Sequence, residues 1–272
     1  MQNTLRDAIH FDDFWTAFGP RGFVAMAWWL GGQHASRIRR EHGSYPLLQL
    51  TEHAGSGKSV LLNYLNKLQG YDRYEPYSPE AATCAARLRL FANLGRQVLV
   101  YRVTDEPDAK FDWRELLQLY SGGAFSVRPP DGLPVQVPFR GALMICGNAP
   151  AMSVLDNRLV SIDLLGFHPS QRVGNSVSAL VQLPSVRAVS FTQLARQYEV
   201  ELFEIFNRGA PAYTAALLSE YGDEISPLKA RNYGQLMSLV DCLCLMLSLP
   251  NEQRVFVQGE VQDMVLFETA PF

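Results

Sequence analysis

Hydrophobic and polar positions change their spacing several times along the chain, and each change marks an element. Residues 1–44 read as helical: "FDDFWTAFGPRGFVAMAWWLGG" is broken at Gly19-Pro20 and resumes toward Arg37, Arg39 and Arg40, just before Gly43. Cations in a last turn complement the helix dipole, so these arginines are expected on a solvated helix end. "YPLLQLT" is a short continuous apolar run, as in a buried strand, and "SVLLNYLNKLQG" is a helix closed by Gly70. "SPEAATCAARLRLFANLG" predicts a further helix with Pro79 near its start and Gly95 near its end. "RQVLVYRVTDE" predicts a strand ending in two acids, and "FDWRELLQLYSGG" returns to helix. "FSVRPPDGLPVQVPF" predicts a hairpin turning near Asp131-Gly132, and "GALMICGNAP" another strand. From about Ser190 onward the pattern is helical, including "YGQLMSLVDCLCLMLSL".

Strands near 47, 98 and 142 that alternate with helices predict an α/β fold, a mainly parallel sheet flanked by helices. The expected organisation is a helical segment at 1–44, a core at 45–165, a connector at 166–189 and a helical segment at 190–272. There is no internal repeat and no low-complexity tract.

Composition narrows this picture only slightly. Of 272 residues, 47% are hydrophobic and 19% charged, an ordinary globular balance. The formal charge of −3 excludes a polybasic protein, so nucleic acid would have to be met by a local patch. "MQNTLRDAIHFDDF" carries acids and no apolar run, which is unlike a signal peptide. "GFVAMAWWLGG" is about half the length that spans a bilayer, so a soluble, cytoplasmic chain is expected. Cys84, Cys146, Cys242 and Cys244 have no metal-ligand spacing and are expected as buried thiols of a reducing compartment. Trp15, Trp28, Trp29 and Trp113 lie in helical stretches and are expected in the core rather than against nucleobases.

The chemistry lies in "LLQLTEHAGSGKSVLLNYL", a strand, a glycine-rich loop and a helix. A polyphosphate needs backbone N–H groups curled around it, which glycine permits because it reaches dihedrals forbidden to other residues. It also needs the positive end of a helix, here starting near Lys58. His53, Ala54, Gly55, Ser56, Gly57, Lys58 and Ser59 are therefore the candidate nucleotide-binding run of a P-loop NTPase fold. Lys58 would reach the β- and γ-phosphates of ATP, and the Ser59 hydroxyl would take one Mg²⁺ position. Glu52 stands where the full pattern has glycine, and it adds negative charge near the triphosphate unless it points outward.

Such a site needs an acid beyond a neighbouring strand to hold Mg²⁺ and often a second to activate water. "VLVYRVTDE" offers Asp105 as the metal acid and Glu106 as the second, although Arg102 interrupts the apolar run. Should the strand end at Tyr101-Arg102, neither acid would be supplied by it. Asn148, after "ALMICG", would orient a water against the γ-phosphate; alone it reads as a turn residue.

The order of these pieces resembles the superfamily-three helicase ATPases, with an AAA+-like core. The resemblance is strongest to the helicase domains of phage- and plasmid-type primase-helicases, and it covers residues 45–165 in motif detail. The pieces that carry it are "WRELLQLYSGG", "FSVRPPDGLPVQV", "PFRGALMICGNAP" and "VLDNRLVSIDL". More narrowly, "FDDFWTAFGPRGFVAMAWWLG" and "APAYTAALLSEYG" look like stretches flanking the helicase module of toprim-type primase-helicases. The resemblance implies an ATP-driven ring, such as a hexamer, that moves on single-stranded DNA. Asp105 and Glu106 would then be its Walker B acids, Asn148 its sensor, and Arg158 the finger reaching a neighbouring subunit's γ-phosphate. The hairpin would face DNA; its "PPDGLP" turn has no lysine or histidine, so Arg128 and Arg140 would hold phosphates instead. No primase or toprim segment is recognised in the 272 residues, so either an excised module or a short stand-alone relative is expected, with a primase as a further expected partner.

Two other readings stand beside the motor. A P-loop module that has lost turnover and serves binding or regulation is favoured by Glu52, the irregular strand before Asp105 and the bare hairpin turn. A small-molecule kinase on the same loop fits less well with the hairpin and the helical tail.

Overall fold

The computed structural model describes residues 2–52, 55–103, 111–128, 132–147, 150–164 and 170–269. In chain order the elements are α1 (Gln2–Ala8), α2 (Phe11–Gly32), α3 (Ala35–His42), β1 (Leu47–Glu52) and α4 (Lys58–Leu68). Then come α5 (Cys84–Asn93), β2 (Val98–Arg102), α6 (Leu117–Ser121), β3 (Ala124–Val127), β4 (Val135–Pro138), β5 (Ala142–Cys146) and β6 (Leu159–Leu164). The chain closes with α7 (Gln171–Gln182), α8 (Ser185–Ala188), α9 (Ser190–Gln197), α10 (Glu199–Tyr221), α11 (Pro227–Leu247) and α12 (Asn251–Thr269).

The chain divides into two compact units. One comprises Gly31–Thr51 and Glu75–Ser161; the other comprises Met1–Leu30, Glu52–Tyr74 and Ile162–Phe272.

Among the described residues, four strands form one sheet in the order β2-β5-β1-β6, and β3 and β4 form a separate antiparallel hairpin. β1 and β2 both pair with β5 in parallel, Leu48 opposite Met144 and Val98 opposite Ala142. Tyr77 adds a parallel bridge to Tyr101 on the outer side of β2. A parallel strand covered on both faces reads as an unbroken apolar run, and β5 is buried at every position. On one face of this sheet Phe91, Trp113, Leu116 and Leu119 pack with Tyr101, Leu143 and Ile145. Near its edge the end of α2 comes so close that a Cβ on Gly32 would lie 2.9 Å from the Val98 side chain. The expected mainly parallel, helix-flanked sheet is the one observed.

In the other unit α4 is the structural axis. It buries Leu61, Leu62, Tyr64, Leu65 and Leu68. Tyr64 donates to the carbonyl of Ile9 at 3.0 Å, and its ring stacks on Phe14 at 4.6 Å between centroids. α10 and α11 cross closely, since a Cβ on Gly234 would meet the Thr214 hydroxyl at 2.3 Å. The residues read as a connector, 166–189, contain α7 and α8.

Several sequence expectations need correction. The helix expected from Pro79 is two pieces: Pro79 opens a short 3-10 turn, and α5 begins only after Thr83, whose hydroxyl accepts the Ala86 N–H at 3.2 Å. The helix expected at 111–123 starts as a 3-10 turn, Trp113–Leu116, before α6. Arg39 is not on a solvated helix end; it is 5% exposed. Cys84, the first residue of α5, is exposed rather than buried, while Cys146, Cys242 and Cys244 are buried as expected. Trp28, Trp29 and Trp113 are core residues. The break at Gly19 is present, with φ 56 and ψ −152 inside α2. Among the described residues no helix is long and apolar enough to cross a membrane.

Candidate nucleotide site

β1 carries the chain into the loop from an interior position of the sheet. Leu47, Leu48 and Leu50 are fully buried. His53 and Ala54 lie outside the described residues. From Gly55 the backbone is left-handed twice, at Gly55 (φ 86) and Gly57 (φ 80). Alternating left- and right-handed residues turn successive N–H groups toward one concavity, which suits an anion. Gly57 caps α4, and its carbonyl accepts the N–H groups of Val60 at 2.9 Å and Leu61 at 3.0 Å. Lys58 and Ser59, as the first two helical residues, keep their N–H groups outside the intrahelical ladder. Ser56 is buried, Lys58 half-buried and Ser59 exposed.

The far end of α4 is tied down. Lys67 Nζ donates to the carbonyls of Leu180 at 3.1 Å and Val181 at 2.6 Å, the C-terminal end of α7. Burial lowers the Lys67 pKa, and the charge of Asp72 opposes that shift. The Thr192 hydroxyl donates to the Leu68 carbonyl at 2.7 Å. The loop therefore sits on a helix whose last turn is bonded to two other helices, α7 and α9.

The carboxyl ends of the parallel strands form a second set of observations. Gly147 donates to the Leu50 carbonyl at 3.1 Å, and Val103 donates to the Cys146 carbonyl at 2.9 Å. Gln49 Nε2 donates to the Gly147 carbonyl at 3.1 Å, and Ser161 donates to Gln49 Oε1 at 3.2 Å. Gly147 has φ 113, and a Cβ there would lie 3.0 Å from the Val103 carbonyl oxygen, so a side chain is excluded. Ligands of open parallel sheets bind outside such carboxyl ends. Asp105 and Glu106, beyond Val103, and Asn148, beyond Gly147, lie outside the described residues.

β2 itself ends at Arg102, with Val103 continuing the ladder by one bond. Arg102 is exposed and does not interrupt the strand; Tyr101 points the other way, fully buried against Tyr77 at 5.5 Å between rings. Alternation along a strand permits this pairing of opposite characters. Burial raises the Tyr101 pKa, so the phenol stays neutral.

The arginines fall in one unit. Arg158 ends a 3-10 stretch, Pro150–Arg158, and its guanidinium lies 6.0 Å from the Tyr120 ring centroid. Arg128 follows β3, Arg140 follows β4, and both are exposed. Sequence reading missed two exposed apolar residues of the hairpin region: Leu133 is 83% exposed and Val135 51% exposed. Their alternation with polar residues read only as strand pattern.

Among solved structures, the chain resembles an active helicase, Cch of the SCCmec type IV element, at TM-score 0.66 and 13% identity, over 98% of this chain and 51% of that one. The likeness is one of fold. The chain spans about half the length of that helicase. The apo C-terminal region of NrS-1 aligns over 88% of this chain and 66% of that one, at 10% identity and a TM-score of 0.37, too low to bear on the fold. No protein-family model matches the sequence, and no curated protein matches it.

Proposed function

We propose that the chain is a motor domain that hydrolyses ATP with Mg²⁺ and acts on single-stranded DNA in replication of a mobile element. One observation carries this reading: two left-handed glycines, Gly55 and Gly57, open α4 directly beyond a buried strand of a parallel sheet. A Cβ built at Gly55 would meet no atom within 4 Å, so the left-handed backbone, and not crowding, is what calls for glycine there. Lys58 would hold the phosphates, and the Ser59 hydroxyl with Asp105 would hold the Mg²⁺. Bound Mg²⁺ would neutralise phosphate charge. Glu106 would take the proton of the attacking water, Asn148 would orient that water, and Arg158 would neutralise charge that develops during transfer in a neighbouring subunit.

The motor core is assigned to residues 45–165, affiliated with the superfamily-three helicases of toprim-type primase-helicases. Arg128 and Arg140 would hold DNA phosphates, in a ring of like subunits working with a primase. The helicase-like fold supports this reading.

A second reading, a P-loop module that binds or regulates without turnover, is favoured by β2, which ends at Arg102 with no acid inside the strand. Titration of the intact chain with a fluorescent ATP analogue and Mg²⁺ tests whether the loop binds nucleotide. Binding that Lys58→Ala weakens by about tenfold or more supports it; no binding by the unaltered chain removes the motor reading and leaves the module without turnover.

A further inference from the structure

Arg39 is a cation in the interior whose partners are carbonyls and rings. Nη1 donates to the Gly141 carbonyl at 2.8 Å and Nε to the Tyr120 carbonyl at 3.3 Å. Its guanidinium lies 4.9 Å from the Phe139 ring and 5.9 Å from the Tyr45 ring. Burial lowers its pKa to about 10, so it stays charged at neutral pH. Burying a cation is costly, and carbonyls and ring faces offset that cost only with close geometry.

Those partners are the two feet of the β3–β4 hairpin. On the entering side, Tyr120 sits in the last turn of α6, and Gly122 follows with φ 77; a Cβ there would lie 2.8 Å from Arg39 Cδ. On the leaving side, Phe139 and Gly141 join β4 to β5, and Phe139 donates to the Gly123 carbonyl at 3.1 Å. Tyr45, just before β1, donates to the same Tyr120 carbonyl at 2.9 Å. The opposite resource of Tyr120, its ring, carries Arg158 at 6.0 Å.

We propose that Arg39 is a positioning residue that clamps both feet of the hairpin to α3 and, through Tyr120, fixes the platform on which Arg158 rests. The DNA-facing hairpin and the arginine assigned to transfer then share one support. This claim about their joint use rests on the motor reading above; the clamp itself does not. Lysine keeps the charge but not the fork: its one nitrogen does not reproduce two donors held in a plane that also lies over a ring.

The test uses the intact chain with Arg39→Lys, and with Arg39→Met as the variant that keeps the stem and removes the charge. Hydrogen exchange is read at the Tyr45, Gly123 and Phe139 amides and, as reference, in α11. The expected result for either variant is exchange about tenfold faster at the hairpin feet with α11 within about twofold of the unaltered chain. In the motor assay, the DNA concentration for half-maximal stimulation rises about fivefold or more, and Lys retains more stimulation than Met. Unchanged exchange at the feet, or an equal rise in α11, overturns the clamp. Should the unaltered chain show no DNA-stimulated turnover, the motor reading falls, and exchange at the feet alone decides the Arg39 claim.

Discussion

Gly147 donates its backbone N–H to the carbonyl of Leu50 at 3.1 Å, which sets the end of β5, and not that of β2, beside the end of β1. The strand before Asn148 thus separates the strand before the glycine loop from the strand before Asp105.

The loop's left-handed backbone has a measurable cost when glycine is removed. Gly55→Ala meets no neighbouring atom within 4 Å, so any effect comes from φ 86 alone. The expected loss is about 1–2 kcal/mol in urea unfolding, with weaker nucleotide binding as well. A variant as stable as the parent would show that the loop does not hold this conformation.

Glu52 closes β1 next to the candidate cradle in sequence, and its carboxylate opposes a triphosphate if it faces the loop. Glu52→Gln is then expected to tighten ATP–Mg²⁺ binding by about threefold to tenfold at low salt, with the gain shrinking as salt rises. Calorimetry at two ionic strengths checks this. Equal affinities for the two chains at both salts would place the carboxylate away from the nucleotide.

Arg158 is assigned to a neighbour's nucleotide, so its loss should separate binding from turnover. Arg158→Ala is expected to bind ATP within about twofold of the unaltered chain while hydrolysis falls about 100-fold or more. Mixing Arg158→Ala with Lys58→Ala chains should restore part of the turnover that neither has alone, because one interface then pairs an intact Lys58 with an intact Arg158. No restoration at any ratio would remove the assignment in trans.

Thiol chemistry tests the folded interior directly. Burial is the largest cause that pushes the Cys242 and Cys244 thiols up to about 12, with the nearby Asp241 adding to it. A raised thiol pKa means less thiolate, about one part in ten thousand at pH 8, so neither reacts in the native state. Cys84 is exposed and Cys146 buried. An alkylating reagent at pH 8 should therefore modify Cys84 quickly and the other three only after denaturation; rapid native labelling of Cys242 would contradict the packing of α11.

Much of this fold was legible because the signals are local. The glycine loop, the apolar run of β1 and the hairpin each show in a dozen residues, and a fully buried parallel strand announces itself by lacking alternation. What stayed hidden depends on distant partners. Arg39 looked like a solvated last-turn cation because its two carbonyl partners, Tyr120 and Gly141, lie far along the chain. Sheet order could not be read, since β5 pairs across the chain with both β1 and β2. The start of α5 was misplaced because Pro79 and Thr83 both signal a helix start, and only the Thr83 cap bond decides between them. Cys84 looked like a core thiol because composition around it is apolar, whereas it opens α5 on an exposed position.

The central claim is that Lys58 and the glycine loop beneath it bind the phosphates of ATP for turnover coupled to DNA. The most direct measurement is the steady-state rate of ATP hydrolysis by the intact chain, with and without single-stranded DNA, beside Lys58→Ala. The account predicts hydrolysis that DNA stimulates and that Lys58→Ala lowers by about 100-fold or more, without loss of fold. Equal rates in the two chains, or no turnover by the unaltered chain with any single-stranded DNA, would contradict it.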